Sequence, residues 1–282
     1  MMQSVVVTGV SSGIGWGITK VIIQRGFRVF GSVRKTEDAE RLSKEFGDRF
    51  IPLFFDVTDE EAVQAAAQQV REQLRGETLF GLVNNAGIAV PGPLIHLQTE
   101  EFRHQLEVNL VSILIVTKAF APLLGVDHSL YGQPGRIINI SSTSGKSASP
   151  FVGAYVTSKY GLEGFSETLR RELILYGIDV IVVGPGPVVT PIWDKAEQVD
   201  MSLYANTDYV EAARRAQAYM IRKGKNGLRP ERVGEVVWQA LTAHNPRVRY
   251  TVVGGDFVRR FFQQILPKRV VDRILAKALG LK

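Results

Sequence analysis

The chain has 282 residues, 45% of them hydrophobic and 22% charged, with 34 Lys and Arg against 28 Asp and Glu for a formal charge of +6, a composition able to fill a globular core. It has no cysteine, which excludes disulfides, thiolate metal sites and cysteine nucleophiles. Its four histidines, His96, His104, His128 and His244, are too dispersed to read as a metal set, so no metal is expected.

Short β-branched runs alternate with helical patterns along the chain. Strands are expected at Ser4–Thr8, Arg28–Val33, Phe50–Asp56 and Leu79–Val83, then at Arg136–Ser141, Asp179–Val183 and Arg249–Val253. These are mostly continuous apolar runs, which suits a parallel sheet covered on both faces. Helices are expected near 14–25, 59–74, 100–124, 155–176 and 231–243, with Gly26 and Gly177 placed to end two of them. The alternation predicts an α/β fold: a doubly wound, Rossmann-type parallel sheet of about seven strands with helices on both faces. With no repeat or low-complexity linker, 1–282 reads as one domain. It carries an irregular insert over about 192–229 and a basic extension over about 256–282.

Most of the excess charge is local. From Arg247 to Lys282, nine Lys and Arg stand against Asp256 and Asp272, leaving the rest of the chain near neutral. A neutral body without a recognition motif argues against nucleic-acid binding. The opening "MMQSVVVTG" enters a strand-like run with no charged-then-apolar leader, and no segment reads as long and apolar enough to span a bilayer. The expected setting is cytoplasmic.

Ligands of open α/β sheets bind beyond the carboxyl ends of the strands. After the first strand comes "TGVSSGIG", with Gly9, Ser11, Ser12, Gly13, Ile14 and Gly15 forming a glycine-rich turn into a helix. Such a turn lets backbone approach a pyrophosphate, whose charge the helix N-terminus favours. The second strand ends at Arg34 and Lys35, with no carboxylate to take a ribose 2′-hydroxyl. Basic residues there suit a 2′-phosphate, so NADP(H) is expected over NAD(H). "DVTD", with Asp56 and Val57, ends the third strand, and "NNAG", with Asn84, Ala86 and Gly87, ends the fourth. Their short polar groups could bond an adenine edge and a ribose.

The fifth strand runs into "NISSTSG", and thirteen residues past Ser142 stands Tyr155, followed at i+4 by Lys159. Carbonyl reduction needs an acid for the emerging alkoxide and a donor to hold the oxygen. A phenol ordinarily titrates near 10. An ammonium one helical turn away is expected to lower that value.

These pieces in this order resemble the short-chain dehydrogenase/reductase family in its compact, single-domain branch. The resemblance implies that Tyr155 is the catalytic acid/base, that Lys159 tunes it and binds the nicotinamide ribose, and that Ser142 polarises the substrate carbonyl. It also implies that Asn109, in "LEVNLVS", kinks its helix and anchors a water relay to the lysine. In "GPGPVVTP" it implies a loop under the nicotinamide, with Pro185, Gly186, Val188 and Thr190 in contact with cofactor. The insert and the long C-terminal extension are similar to those of retinol and 17β-hydroxysteroid dehydrogenase-type members.

The expected activity is therefore NADPH-dependent interconversion of a small-molecule ketone or aldehyde with an alcohol, on a lipophilic substrate. The alternatives are a 3-ketoacyl thioester reductase and a non-catalytic dinucleotide-binding sensor or scaffold. Trp193 and Tyr204 of the insert are candidate substrate contacts, against the alternative of a helical subdomain packing its own core. The tail repeats Phe261, Phe262, Ile265, Leu266, Val270, Val271, Ile274, Leu275, Ala278 and Leu279 between basic residues. It can pack on the body or a sister subunit, the preferred reading, or lie on an anionic membrane surface. The family resemblance further implies a homodimer or homotetramer.

Overall fold

The computed structural model describes residues 2–254 and 266–281, apart from the side chains of Lys195 and Met201. Phe261, Phe262 and Ile265 of the tail pattern lie outside the described residues. Seven strands form one parallel sheet: β1 (Ser4–Val7), β2 (Arg28–Val33), β3 (Phe50–Phe54), β4 (Gly81–Asn84), β5 (Arg136–Ile140), β6 (Asp179–Pro185) and β7 (Arg249–Val252). Their order is β3-β2-β1-β4-β5-β6-β7, so the winding reverses between β1 and β4. That switch point opens the crevice in which ligands of such sheets bind.

The apolar runs are explained by burial on both faces. Val5 and Val7 point into one core layer with Ile18, Ile22, Val233 and Val237. Val6 points into the other with Leu82, Val63, Val116 and Phe120. Each such side chain contributes roughly 1.5–3 kcal/mol when fully buried. The first layer is covered by α1 (Gly13–Gln24), α2 (Thr36–Phe46) and α9 (Pro230–Thr242). Helices α1 and α9 touch through their glycines, because a Cβ on Gly17 would lie 2.5 Å from the Pro230 backbone and one on Gly234 2.6 Å from the Gly17 carbonyl. The second layer is covered by α3 (Glu60–Leu74), α5 (Ser112–Phe120) and part of α6 (Gly153–Glu172).

Gly26 and Gly177 both take positive φ, as expected of helix-ending glycines. The helix expected over 100–124 is three pieces: α4 (Thr99–Leu106), a π-helical turn at Glu107–Val111, and α5 running into a 3₁₀ turn at Ala121–Leu124. This whole run, Thr99–Leu124, has a mean hydropathy of 1.6 in its most apolar window, long and apolar enough by composition to cross a bilayer. That corrects the reading that no segment qualifies, although half of the window is buried inside the protein, as in a core helix.

The insert is also corrected. It is helical rather than irregular, with α7 (Ile192–Glu197), a 3₁₀ turn at Met201–Tyr204 and α8 (Val210–Lys225). Ala212, Ala213 and Ala216 of α8 form a small core with Phe151, Tyr209, Met220 and Leu279. Leu279 belongs to α10 (Lys268–Leu279), no residue of which is fully buried.

Candidate active site

The glycine-rich turn is built by close approach. Gly9 and Gly13 take φ of +69° and +59°, which disfavour any side chain. A Cβ on Gly15 would sit 2.1 Å from the Gly9 carbonyl and 2.5 Å from Asn85 Nδ2. Ser32 of β2 fixes the turn by accepting from the Gly9 N–H at 2.8 Å. Thr8 and Asn85 fasten β1 to β4: the Thr8 hydroxyl accepts from the N–H groups of Asn85 and Ala86 at 2.9 and 3.0 Å. Asn85 Nδ2 returns bonds to the carbonyls of Thr8 and Gly9 at 2.9 and 3.1 Å. Both residues stand in the quoted motifs, but their buttressing role became visible only across the strand pair.

Ser12 precedes α1 without capping it through its side chain. The first N–H groups of α1 therefore point into a glycine-lined cradle, the arrangement that takes a phosphate. A dinucleotide fits this site. Gly9, Ser11, Gly13, Ile14 and Gly15 would hold its pyrophosphate.

At the ends of β2 and β3, Arg34 Nη1 donates to Asp56 Oδ2 at 3.0 Å. Asp56 also accepts from the N–H and hydroxyl of Thr58. Its pKa lies below the ordinary carboxylate value: burial acts to raise it, but the Thr58 and Arg34 bonds outweigh that. The two predicted cofactor residues are thus one exposed ion pair, an arrangement of little energetic weight that a 2′-phosphate can compete for. Lys35 is exposed just before α2. Sequence reading missed Arg41 of α2, whose guanidinium donates to the Ser11 carbonyl and adds a second arginine beside the turn. The missed signal was α2 itself, where only Ala39 and Leu42 are buried.

Two predicted cofactor residues turn their side chains inward. The Asn84 side chain is buried and donates to Asn139 Oδ1 at 2.9 Å and Thr117 Oγ1 at 3.4 Å, which leaves its main chain at the end of β4 for a ligand. The side chain of Val57 is packed in the core, which leaves only its main chain for a ligand. Ala86 and Gly87 do lie against the site: a Cβ on Gly9 would meet Ala86 Cα at 2.9 Å, and one on Gly87 would meet Asn109 Oδ1 at 3.1 Å.

Asn109 sits in the π-helical turn and is completely buried. Its Oδ1 accepts from the Ile88 N–H at 2.8 Å, while Nδ2 donates to the Ile88 carbonyl at 2.9 Å and to Ser158 Oγ at 3.2 Å. The helix is kinked here as expected, and the side chain clamps the loop after β4 to α6. One turn earlier, buried Gln105 binds the same loop through the Val90 N–H and the Ile88 carbonyl.

Ser142, Tyr155 and Lys159 converge at the end of β5. Ser142 Oγ accepts from the Ser144 N–H at 3.0 Å and makes a long 3.5 Å contact to the Pro185 carbonyl. Burial pushes the Tyr155 phenol's pKa up, outweighing the neighbouring Ser142 hydroxyl, which acts to lower it. This corrects the expectation of a lowered phenol pKa: desolvation exceeds the help from the Ser142 hydroxyl. Lys159 Nζ donates to the Ile140 carbonyl at 2.9 Å and lies 5.7 Å from the Tyr155 ring centre. Burial lowers its pKa to about 8, with Glu163 opposing.

The loop after β6 closes the other wall. Gly186 N–H bonds the Val252 carbonyl at 2.8 Å, and buried Val188 pairs with Leu228. Thr190 reaches the glycine-rich turn, where a Cβ on Gly13 would meet its Cγ2 at 2.9 Å. The two candidate substrate contacts of the insert make bonds and contacts within the chain. Trp193 donates from its indole to the Val188 carbonyl at 2.7 Å and stacks on Gly224, where a Cβ would fall 2.1 Å from the ring. Tyr204 is 6% exposed, its hydroxyl turned to Gly92 in the loop after β4. Burial, and secondarily Glu101, raise its pKa.

The short chain dehydrogenase family model matches residues 3–200. This chain belongs to the short-chain dehydrogenase family. It is 38% identical over 278 residues to an NADPH-dependent 3-dehydrocapnine reductase of Ornithobacterium rhinotracheale, covering 99% of this chain and 98% of that protein. It is 33% identical over 287 residues to retinol dehydrogenase 16 of Mus musculus, covering 96% and 87%. Among solved structures, an actinorhodin polyketide ketoreductase with NADPH superposes at a TM-score of 0.73 with 28% identity, covering 90% of this chain and 97% of that one. The resemblance to retinol dehydrogenases expected from the sequence is thus found among the relatives.

Proposed function

We propose that this short-chain dehydrogenase is an NADPH-dependent carbonyl reductase, running equally as an alcohol dehydrogenase in reverse, with a lipophilic ketone or aldehyde as substrate. The observation that carries the reading is the Ser142–Tyr155–Lys159 convergence at the end of β5, on the same sheet edge as the glycine-rich cradle. When bound, the nicotinamide supplies the hydride. The remaining work belongs to the chain. Ser142 offers its hydroxyl proton to the substrate oxygen and holds the carbonyl in place. Tyr155, kept protonated at neutral pH by its buried setting, passes its proton to the same oxygen as alkoxide character develops. Lys159 stabilises the phenolate left behind, which is reprotonated from solvent. A pure binding protein has no use for a phenol, serine and ammonium in this geometry.

The preference for NADP(H) is supported by Arg34 and Arg41 beside the turn, and by the NADPH dependence in the name of a relative 38% identical. The lipophilic substrate class is supported by the retinol and 3-dehydrocapnine relatives. We further place the protein in the cytoplasm as a homodimer or homotetramer; the exposed apolar residues Val111, Leu114 and Tyr160 on α4–α6 supply a face for a second copy.

NADPH oxidation is to be screened across 3-dehydrocapnine, retinoids, steroids, aliphatic aldehydes and 3-ketoacyl thioesters, with Tyr155→Phe as control. Turnover on a lipophilic carbonyl, abolished in Tyr155→Phe while NADPH still binds, is expected. Near-normal turnover in that variant would overturn the mechanism, and activity confined to 3-ketoacyl thioesters would overturn the substrate class.

A further inference from the structure

Behind the catalytic face lies a buried ionic cluster that the hydride-transfer chemistry does not use. Tyr155, Lys159 and Glu163 follow one another at i, i+4 and i+8 on α6, so Glu163 stands one turn beyond the lysine. Arg249, from strand β7, donates through Nε to both Glu163 oxygens at 3.1 and 3.0 Å, the two side chains being 21% and 8% exposed. Its Nη2 continues to the main-chain carbonyl of Ser142 at 3.2 Å. To reach that far the guanidinium crosses β6 at Gly184, where any Cβ would lie 2.4 Å from Nη2. Around Glu163 the remaining polar neighbours are Ser141 Oγ of the β5 end at 2.8 Å, half-exposed Lys146 Nζ at 3.4 Å, and Lys159 on its own helix. Gly145 again leaves room, since its Cβ would crowd Ser141 Oγ at 2.7 Å. Two glycines are therefore kept clear for one ion pair.

Resting on the carbonyl-reductase reading above, we propose that Glu163 and Arg249 are positioning residues of the catalytic set. Arg249 anchors the backbone that presents the Ser142 hydroxyl, and Glu163 places a fixed negative charge one turn from the Lys159 ammonium. Neither touches substrate. Their effect travels through Ser142 and Lys159, so the two substitutions have different signatures. Losing the Glu163 charge makes the ammonium easier to deprotonate. Losing Arg249 loosens the serine while leaving the cofactor cradle intact.

The test follows turnover of a carbonyl substrate from the screen, NADPH affinity by fluorescence, and thermal melting, from about pH 6 to about pH 10. In Glu163→Gln the alkaline fall of turnover is expected to move about one unit to lower pH, so activity relative to wild type drops roughly tenfold across that limb. NADPH affinity, which needs no substrate, is expected to lose its alkaline range in parallel. In Arg249→Gln kcat is expected to fall about tenfold or more with the NADPH KM within about twofold. The double variant Glu163→Gln/Arg249→Gln removes both members of the ion pair, so neither is left buried without the other, and it serves if either single variant fails to fold. In it the displaced alkaline limb and the reduced kcat are both expected to persist. Folded variants whose pH profiles run parallel to wild type, with kcat unchanged, would overturn the proposal even where Tyr155→Phe is inactive. Turnover surviving in Tyr155→Phe would instead overturn the carbonyl-reductase reading on which the proposal rests.

Discussion

Lys159 and Asn109 are joined to Tyr155 by different routes. The lysine ammonium lies 5.7 Å from the Tyr155 ring centre, whereas Asn109 bonds Ser158 Oγ, which in turn donates to the Tyr155 carbonyl at 2.7 Å. One residue sets its ammonium near the phenol ring. The other holds the turn of helix that carries it.

The buried ammonium should oppose stability. Folded Lys159 binds its proton less tightly than the unfolded residue, about 8 against 10.5. Its contribution to stability therefore rises as pH climbs from about 8 toward 10.5, and below 8 the charged form costs about 3 kcal/mol. Lys159→Met is expected to abolish turnover yet gain about 1–2 kcal/mol at neutral pH, after the lost Ile140 bond is counted. Wild-type reduction is expected to decline as pH rises past about 8. Melting curves and pH–rate profiles read both. An unstabilised Lys159→Met would show that the protein compensates the buried charge.

Arg34→Ala should weaken NADPH about tenfold or more and NADH little, because a charge-assisted bond to a phosphate contributes about 1.5–3 kcal/mol. Arg41→Ala should act in the same direction more weakly, since its guanidinium is shared with Asp38 and the Ser11 carbonyl. Michaelis constants for the two cofactors measured side by side decide it. Equal effects on both would remove the 2′-phosphate role.

Asn109→Ala removes three hydrogen bonds and leaves the Ile88 N–H without its partner, while Gln105 still holds the Ile88 carbonyl. A loss of about 2–4 kcal/mol is expected, together with weaker NADPH binding from a loosened loop after β4. Denaturant unfolding and NADPH fluorescence titration read the two effects. A change in affinity with no change in stability would contradict the clamping role.

On α10, Leu279 packs on the insert core while Val270 and Ile274 remain exposed among Lys268, Arg269, Arg273 and Lys277. We propose that this face makes peripheral contact with an anionic membrane. Truncation after Gly255 should lower sedimentation with phosphatidylserine liposomes severalfold at low salt, and added salt should lower it in the full chain. Salt-independent or absent association of the full chain would leave packing on the body as the helix's whole purpose.

Much of this protein was legible in its residues. The seven β-branched runs gave the parallel sheet because strands buried on both faces must be apolar throughout. The strand-to-helix glycines marked the tight turn into α1 because glycine best tolerates the positive φ and close backbone there. The Tyr155–Lys159 spacing placed both groups on one helical face. Other features had no local signature. Helix α2 escaped notice because it buries only Ala39 and Leu42, and with it went Arg41. The inward turn of the Asn84 and Val57 side chains, and the packing of Trp193 and Tyr204, had no local sign, since sequence gives position along the chain but not the direction of a side chain. The phenol pKa turned on desolvation, which depends on everything packed around it. The Glu163–Arg249 pair spans residues far apart in sequence and forms only because β7 lies beside β6 with Gly184 between. Local pattern determined the elements and the reacting groups; the packing of distant segments decided which way those groups face and what charge they carry.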